Sequence, residues 1–156
     1  MLTFEQMMVR LLVALALGAL VGLERELIGK DAGIRTAMLV SGGAALFTII
    51  SVIMPAVLNV NTEQFPVLSD RVISNIVVGI GFLGGGIIFK TSDHVKGLTT
   101  AAVVWVTAAI GVLAGLGLAR FAITSAVLIT GLLYILRKLR LYEHIRPGSK
   151  VHENGD

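Results

Sequence analysis

The sequence contains no cysteine, which excludes disulfides, thiolate chemistry, Cys-ligated zinc and iron–sulfur clusters. Charge is scarce as well. Asp, Glu, Lys and Arg supply 15% of the 156 residues, where roughly 25% is usual in a soluble domain. None of the ten acidic residues falls in the middle of an apolar stretch. Proton- and ion-coupled carriers generally place an ionisable group at mid-membrane, so a carboxylate-driven pump is disfavoured. No nucleophile–base pair, phosphate loop or zinc-ligand cluster is present, and enzymatic activity is not expected. A basic leader is also missing: Glu5 precedes the first apolar run, and Gly22-Leu23-Glu24-Arg25 stands where a small-x-small cleavage site would be needed. The first apolar segment is therefore expected to be retained.

What is abundant is apolar surface. Hydrophobic residues make up 55% of the chain, with 18 glycines besides, and mean hydropathy is +0.87. A soluble fold of this size has too little interior to hide that much apolar area. A water-soluble globular domain, a disordered chain and a nucleic-acid binder are all excluded, leaving a protein whose solvent is the lipid bilayer. Five apolar stretches stand out: Met7 to Leu23, Ala37 to Val57, Ile73 to Phe89, Leu98 to Leu118 and Phe121 to Leu136. A crossing helix needs about 20 residues, with roughly 17–25 tolerated, so the shortest stretches need their flanks. Arg10 and Arg137 are expected near helix ends, snorkelling to the headgroups.

Placement of the cations gives an orientation. With five crossings, the links Leu23–Ala37 and Lys90–Gly97 share a side with the C-terminal tail, and together they hold ten of the 13 Lys and Arg residues. Arg10, Arg71 and Arg120 fall on the other side. The expectation is an all-α, polytopic membrane bundle of about five transmembrane helices with glycine-mediated packing, N-terminus outside and C-terminus cytoplasmic. Residues 1–146 form the transmembrane domain, and 147–156 a flexible cytoplasmic tail. Within it, Arg137–Arg146 mixes cations with Leu139, Leu141 and Ile145, as a short interfacial helix would.

In lipid, helices gain little by burying Leu against Leu and pack instead through small residues. Gly18 and Gly22, Gly81, Gly84 and Gly85 (with Gly86), and Gly111 and Gly115 are the candidate packing positions. The run Gly81–Gly86 exceeds what packing needs, and it is also a candidate for a broken helix. A second constellation joins Glu24, Arg25, Asp31, Arg35 and Thr36. Helical spacing brings Arg25 close to the Gly18–Gly22 face and hence inward, and the charges predict an ion-pair network at the cytoplasmic mouth. Thr99 or Thr100 is the expected cap of the fourth helix. Asn75, expensive in an apolar helix unless paired, predicts a cross-helix hydrogen bond. Trp105 falls too deep for an interfacial belt and is assigned to the core. Glu24, Asp31 and Asp93, beside His94, are the candidates for holding Mg²⁺, which usually takes one or two carboxylates and keeps several waters. No other cofactor is indicated.

In order and spacing, Gly18-Ala19-Leu20-Val21-Gly22-Leu23-Glu24-Arg25-Glu26, Ala32-Gly33-Ile34-Arg35-Thr36, Gly79-Ile80-Gly81-Phe82-Leu83-Gly84-Gly85-Gly86 and Lys96-Gly97-Leu98-Thr99-Thr100-Ala101-Ala102 with Trp105 resemble the MgtC/SapB family of bacterial inner-membrane proteins. The resemblance covers roughly residues 10–120. It implies a role in adaptation to low magnesium and, in pathogens, in virulence, exercised by a regulator that binds the membrane part of the F-type ATP synthase. Family members are also described as magnesium transporters, so a small Mg²⁺ transporter or channel built by a homo-oligomer is the alternative. A homodimer in the lipid bilayer is the expected assembly. Many relatives continue into a cytoplasmic ACT-like domain, and regulation through such a domain is not expected of this chain.

Overall fold

The first helix begins where the sequence can satisfy its orphan amides. Thr3 accepts a hydrogen bond from the Gln6 amide at 3.3 Å, and the Gln6 side chain accepts from the Thr3 amide at 3.1 Å. This reciprocal capping box starts α1 at Phe4, three residues before the apolar run, and the helix continues to Leu27. The computed structural model describes residues 2–59, 67–90 and 94–145, with side chains described for 2–59, 70–90 and 94–139. Four more helices follow: α2 (Ile34–Val57), α3 (Val67–Ile87), α4 (Leu98–Gly115) and α5 (Ala119–Ile145). All five are long and apolar enough to cross a membrane. Between α3 and α4 lies a small antiparallel hairpin, β1 (Phe89–Lys90) against β2 (Val95–Lys96), with Phe89 opposite Lys96. Hydropathy carries no signal for this hairpin.

Packing is set by glycine. A Cβ on Gly18 would lie 2.5 Å from the Ala37 carbonyl oxygen, and one on Gly22 would lie 2.6 Å from the Ile34 Cα. These two glycines press α1 onto α2. Gly111 and Gly115 do the same for α4, meeting the Ser41 carbonyl and the Ala45–Thr48 turn from the other side. Helix α2 is therefore clasped between α1 and α4 at backbone contact, which is the close approach that small residues permit in lipid. The core that results is made of small side chains, Ala14, Ala45, Ala114, Ala122 and Ala126 among them, filled in by Val21 and Ile110. Helix α5 joins through Ala122 and Ala126, both at 0% exposure.

Buried hydroxyls in this core bond to backbone carbonyls. Ser41 donates to the Ala14 carbonyl (2.8 Å), Thr48 to Ala44 (2.7 Å), Ser51 to Thr48 (2.7 Å) and Thr107 to Val103 (2.7 Å). Such bonds keep buried polar groups satisfied where water is absent.

Three expectations are corrected here. The glycine run of α3 does not break the helix, which is continuous to Ile87. Within the chain Gly84 meets Ala101 at an ordinary 3.6 Å, while among the described residues a Cβ on Gly81, Gly85 or Gly86 would meet nothing within 4 Å beyond its own helix. Trp105 is 48% exposed rather than in the core, because helices held at glycine distance leave no room for an indole between them. The segment from Arg137 is no separate interfacial helix; it continues α5 to Ile145. Residues 60–66, between α2 and α3, and the tail from 146 onward lie outside the described residues.

Candidate functional site

The charged constellation gathers at the end of the bundle where α1 finishes and α2, α4 and the last turns of α5 meet. Arg25 points inward as its helical position requires, and it is only 4% exposed. Its Nη2 donates to the Thr100 hydroxyl on α4 at 2.6 Å. Thr100 therefore does not cap α4. Gly97 takes that place in the left-handed region (φ +84°), with no side-chain cap bond, and the chain passes so close to the Ile87 carbonyl that a Cβ there would overlap it. Thr99, one residue along, faces outward.

Glu24 sits one helical step from Arg25 and turns toward α5. It is 8% exposed, and neither carboxylate oxygen accepts a hydrogen bond from the described residues. Its cation is Arg137 of α5, at 3.6 Å. Arg137, 34% exposed, also lies over the Tyr134 ring, 5.1 Å from the centroid, a cation–π distance. The expected ion-pair network of Arg25 and Arg35 with Glu24, Glu26 and Asp31 does not form. Among these charges the ion pair within 4 Å joins Glu24 to Arg137 instead, because Arg25 is directed at Thr100 on α4 and Arg35 lies at the α2–α3 groove. Glu26 instead accepts from the Ile34 amide at 2.9 Å, tying the start of α2 to the end of α1. Asp31 is exposed.

No group of three His, Cys, Asp or Glu side chains is placed to hold a metal among the described residues. Asp93, one of the Mg²⁺ candidates, lies outside them.

Arg35 and Thr36 open a groove between α2 and α3. Its volume is about 720 Å³, and its walls include Leu39, Gly43 and Phe47 from α2 and Asn75, Gly79 and Leu83 from α3. Asn75 is exposed to this groove. The cross-helix hydrogen bond expected of it is not made among the described residues: the polar side chains that α2 gives this wall, Arg35 and Thr36, lie at the opposite end of the groove, and the rest of the wall is Gly43, Ala44 and apolar side chains. The opposite end of the bundle holds a contact that sequence reading missed. Arg10 donates from Nη1 to the Gly115 carbonyl at 2.9 Å and lies against Gly117 (φ +86°). A cation at a helix C-terminus complements the partial negative charge of its free carbonyls. The signal was the left-over arginine itself, eight residues before Gly18 in the otherwise apolar stretch from Met7 to Leu23.

With this geometry in place, the comparison with known proteins is direct. The model of the MgtC family matches residues 11–142. The chain belongs to the MgtC family. Protein MgtC of Brucella abortus is 44% identical over 126 residues, which is 81% of this chain and 49% of that protein. Protein MgtC of Salmonella typhimurium is 41% identical over 128 residues, 82% of this chain and 51% of that protein. A Synechocystis protein is 40% identical over 144 residues, 92% of this chain and 58% of its own length. The chain thus spans about half the length of the curated relatives it matches. No solved structure matches it. The matched region of this MgtC family member takes in the Glu24–Arg25 cluster, Thr100 and the α2–α3 groove alike.

Proposed function

We propose that this MgtC family member is a non-enzymatic regulator in the bacterial inner membrane, acting through helix–helix contact on a larger membrane complex. The F-type ATP synthase is the partner that the family resemblance implies, and magnesium limitation the setting. The cation-rich end faces the cytoplasm in this reading, by the positive-inside rule.

One observation carries it. Helix α3 turns a glycine-lined stripe away from its own bundle: Val78, Gly81, Phe82 and Gly85 fall at i, i+3, i+4 and i+7. Phe82 is 83% exposed and Val78 71%, and among the described residues nothing beyond the helix's own adjoining backbone lies within 4 Å of a Cβ built on Gly81 or Gly85. A large side chain between two small ones is a surface onto which another transmembrane helix can pack closely. The interior supports a regulator over a conduit, since Ser41, Thr48, Ser51 and Thr107 all donate to backbone carbonyls.

Co-purification of the tagged protein from native membranes tests the proposal. The membrane subunits of the ATP synthase should be recovered with the wild type and lost with Gly85→Ile, a substitution with free space around it in this chain. Recovery that is indifferent to Gly85→Ile and Phe82→Ala, or Mg²⁺ flux into liposomes carrying the pure protein, would overturn it. The flux result would favour the homo-oligomeric transporter.

A further inference from the structure

The groove between α2 and α3 is separate from the outward stripe of α3 and has a polarity of its own. It is polar at the cation-rich mouth, where Arg35 and Thr36 lie, and apolar along Leu39, Gly43, Phe47, Ile80 and Leu83. Among the described residues the Arg35 guanidinium makes neither an ion pair nor a hydrogen bond. The Thr36 hydroxyl is likewise unbonded, unlike those of Thr48, Thr107 and Thr124, which donate to carbonyls of their own helices. In the first turn of α2 the Ile34 amide is taken by Glu26 and the Ala37 amide by the Gly33 carbonyl. The amides of Arg35 and Thr36 remain as the helix N-terminal donors that favour an oxyanion.

We infer that this groove seats one anionic phospholipid of the leaflet on the cation-rich side, with its phosphate on Arg35 and Thr36 and an acyl chain between α2 and α3. Charge complementarity selects the occupant, because one unpaired cation with free donors at one end and an apolar wall beyond match an anionic amphiphile. Length agrees. From Arg35 to Phe47 the wall spans roughly 18 Å at the helical rise, against about 15 Å for half of a hydrocarbon core some 30 Å thick. Depth agrees too, since Arg35 lies in the first turn of α2, at headgroup level. The glycines belong to the same device. Gly43 and Gly79 line the groove with nothing within 4 Å of a Cβ built on either, which keeps the channel open for a chain of methylenes. A transmembrane helix in this place would find its hydrogen bond at Asn75, toward the opposite end, and would make no use of a phosphate site.

Native mass spectrometry of the purified full chain, offered phosphatidylglycerol and phosphatidylcholine of matched acyl chains, tests the assignment. The wild type should retain one phosphatidylglycerol in preference to phosphatidylcholine. Arg35→Ala should reduce that preference by roughly fivefold, the value of one cation against an anionic headgroup. Gly43→Leu, which fills the groove while leaving Arg35 in place, should abolish retention of both lipids, and Leu128→Ala, on the exposed face of α5 and outside the groove, should leave retention unchanged. Soluble glycerophosphate should fail to displace the bound lipid. Equal retention of the two lipids by the wild type, insensitivity to Gly43→Leu, loss of retention in Leu128→Ala, or displacement by glycerophosphate would each overturn it. Because the lipid site and the α3 stripe share no residue, Gly85→Ile should bind lipid normally while losing its protein partner, so the two proposals fail separately.

Discussion

At the scale of single residues, adjacent threonines do different work. Thr100 accepts from the buried Arg25 at 2.6 Å, while Thr99 faces outward. Replacing Thr100 by valine preserves shape and strands the guanidinium, so stability should fall by about 1.5–3 kcal/mol, as for other hydrogen bonds to charged groups. Thr99→Val should change it by less than about 0.5 kcal/mol. Thermal unfolding of the two variants in the same detergent checks the difference. The Glu24–Arg137 pair is a second test. Glu24 is 8% exposed but Arg137 is 34% exposed, so solvent and headgroups screen the attraction. A double-mutant cycle with Glu24→Gln and Arg137→Gln should return a coupling of about 1 kcal/mol or less. The inward aim of Arg25 was legible in its spacing from Gly18 and Gly22. Its partner was not, because Thr100 lies 75 positions away and a hydroxyl beside a helix start has a local role that looks sufficient.

At the scale of elements, glycines of equal standing in the sequence separate into two classes. Gly18, Gly22, Gly111 and Gly115 each face backbone of α2, which cannot yield as a flexible side chain can. Gly111→Ala should therefore destabilise the bundle by about 1–3 kcal/mol through overpacking. Gly43→Ala and Gly81→Ala, where nothing lies within 4 Å, should be neutral or gain up to about 1 kcal/mol from helix propensity. Detergent-dependent unfolding followed by circular dichroism distinguishes the classes. Arg10 acts between elements, closing the C-terminus of α4 from α1. Arg10→Met should cost about 1 kcal/mol, with the loss concentrated in hydrogen exchange at the last turn of α4. Element ends were the least legible part of the fold. The Thr3–Gln6 capping box and the continuation of α5 past Arg137 are settled by hydrogen bonding, to which an apolar count is blind.

At the scale of the whole molecule, an odd number of crossings puts the chain ends on opposite sides. A fluorescent reporter fused after Asp156 should be active in the cytoplasm, and an alkaline phosphatase fused before Phe4 should be active outside. Neutralising Arg25, Lys30 and Arg35 together should weaken that bias, because these cations flank the first two helices, whose insertion usually dominates orientation.

Composition by itself determined the solvent of this protein, and the run lengths determined five helices long and apolar enough to cross it, while cation placement supplies the expected sense that the fusions test. These follow from one-dimensional transfer energies, which add along the chain whatever the helices later touch. Tertiary structure alone decided which glycines are contacts and which are openings, that Arg25 bonds Thr100 and Glu24 meets Arg137, and that Arg35 is left at the head of an apolar groove. Those outcomes depend on which face of each helix its neighbours cover. In a bilayer, where lipid and leucine are alike to an apolar face, the steric fit of small residues makes that choice.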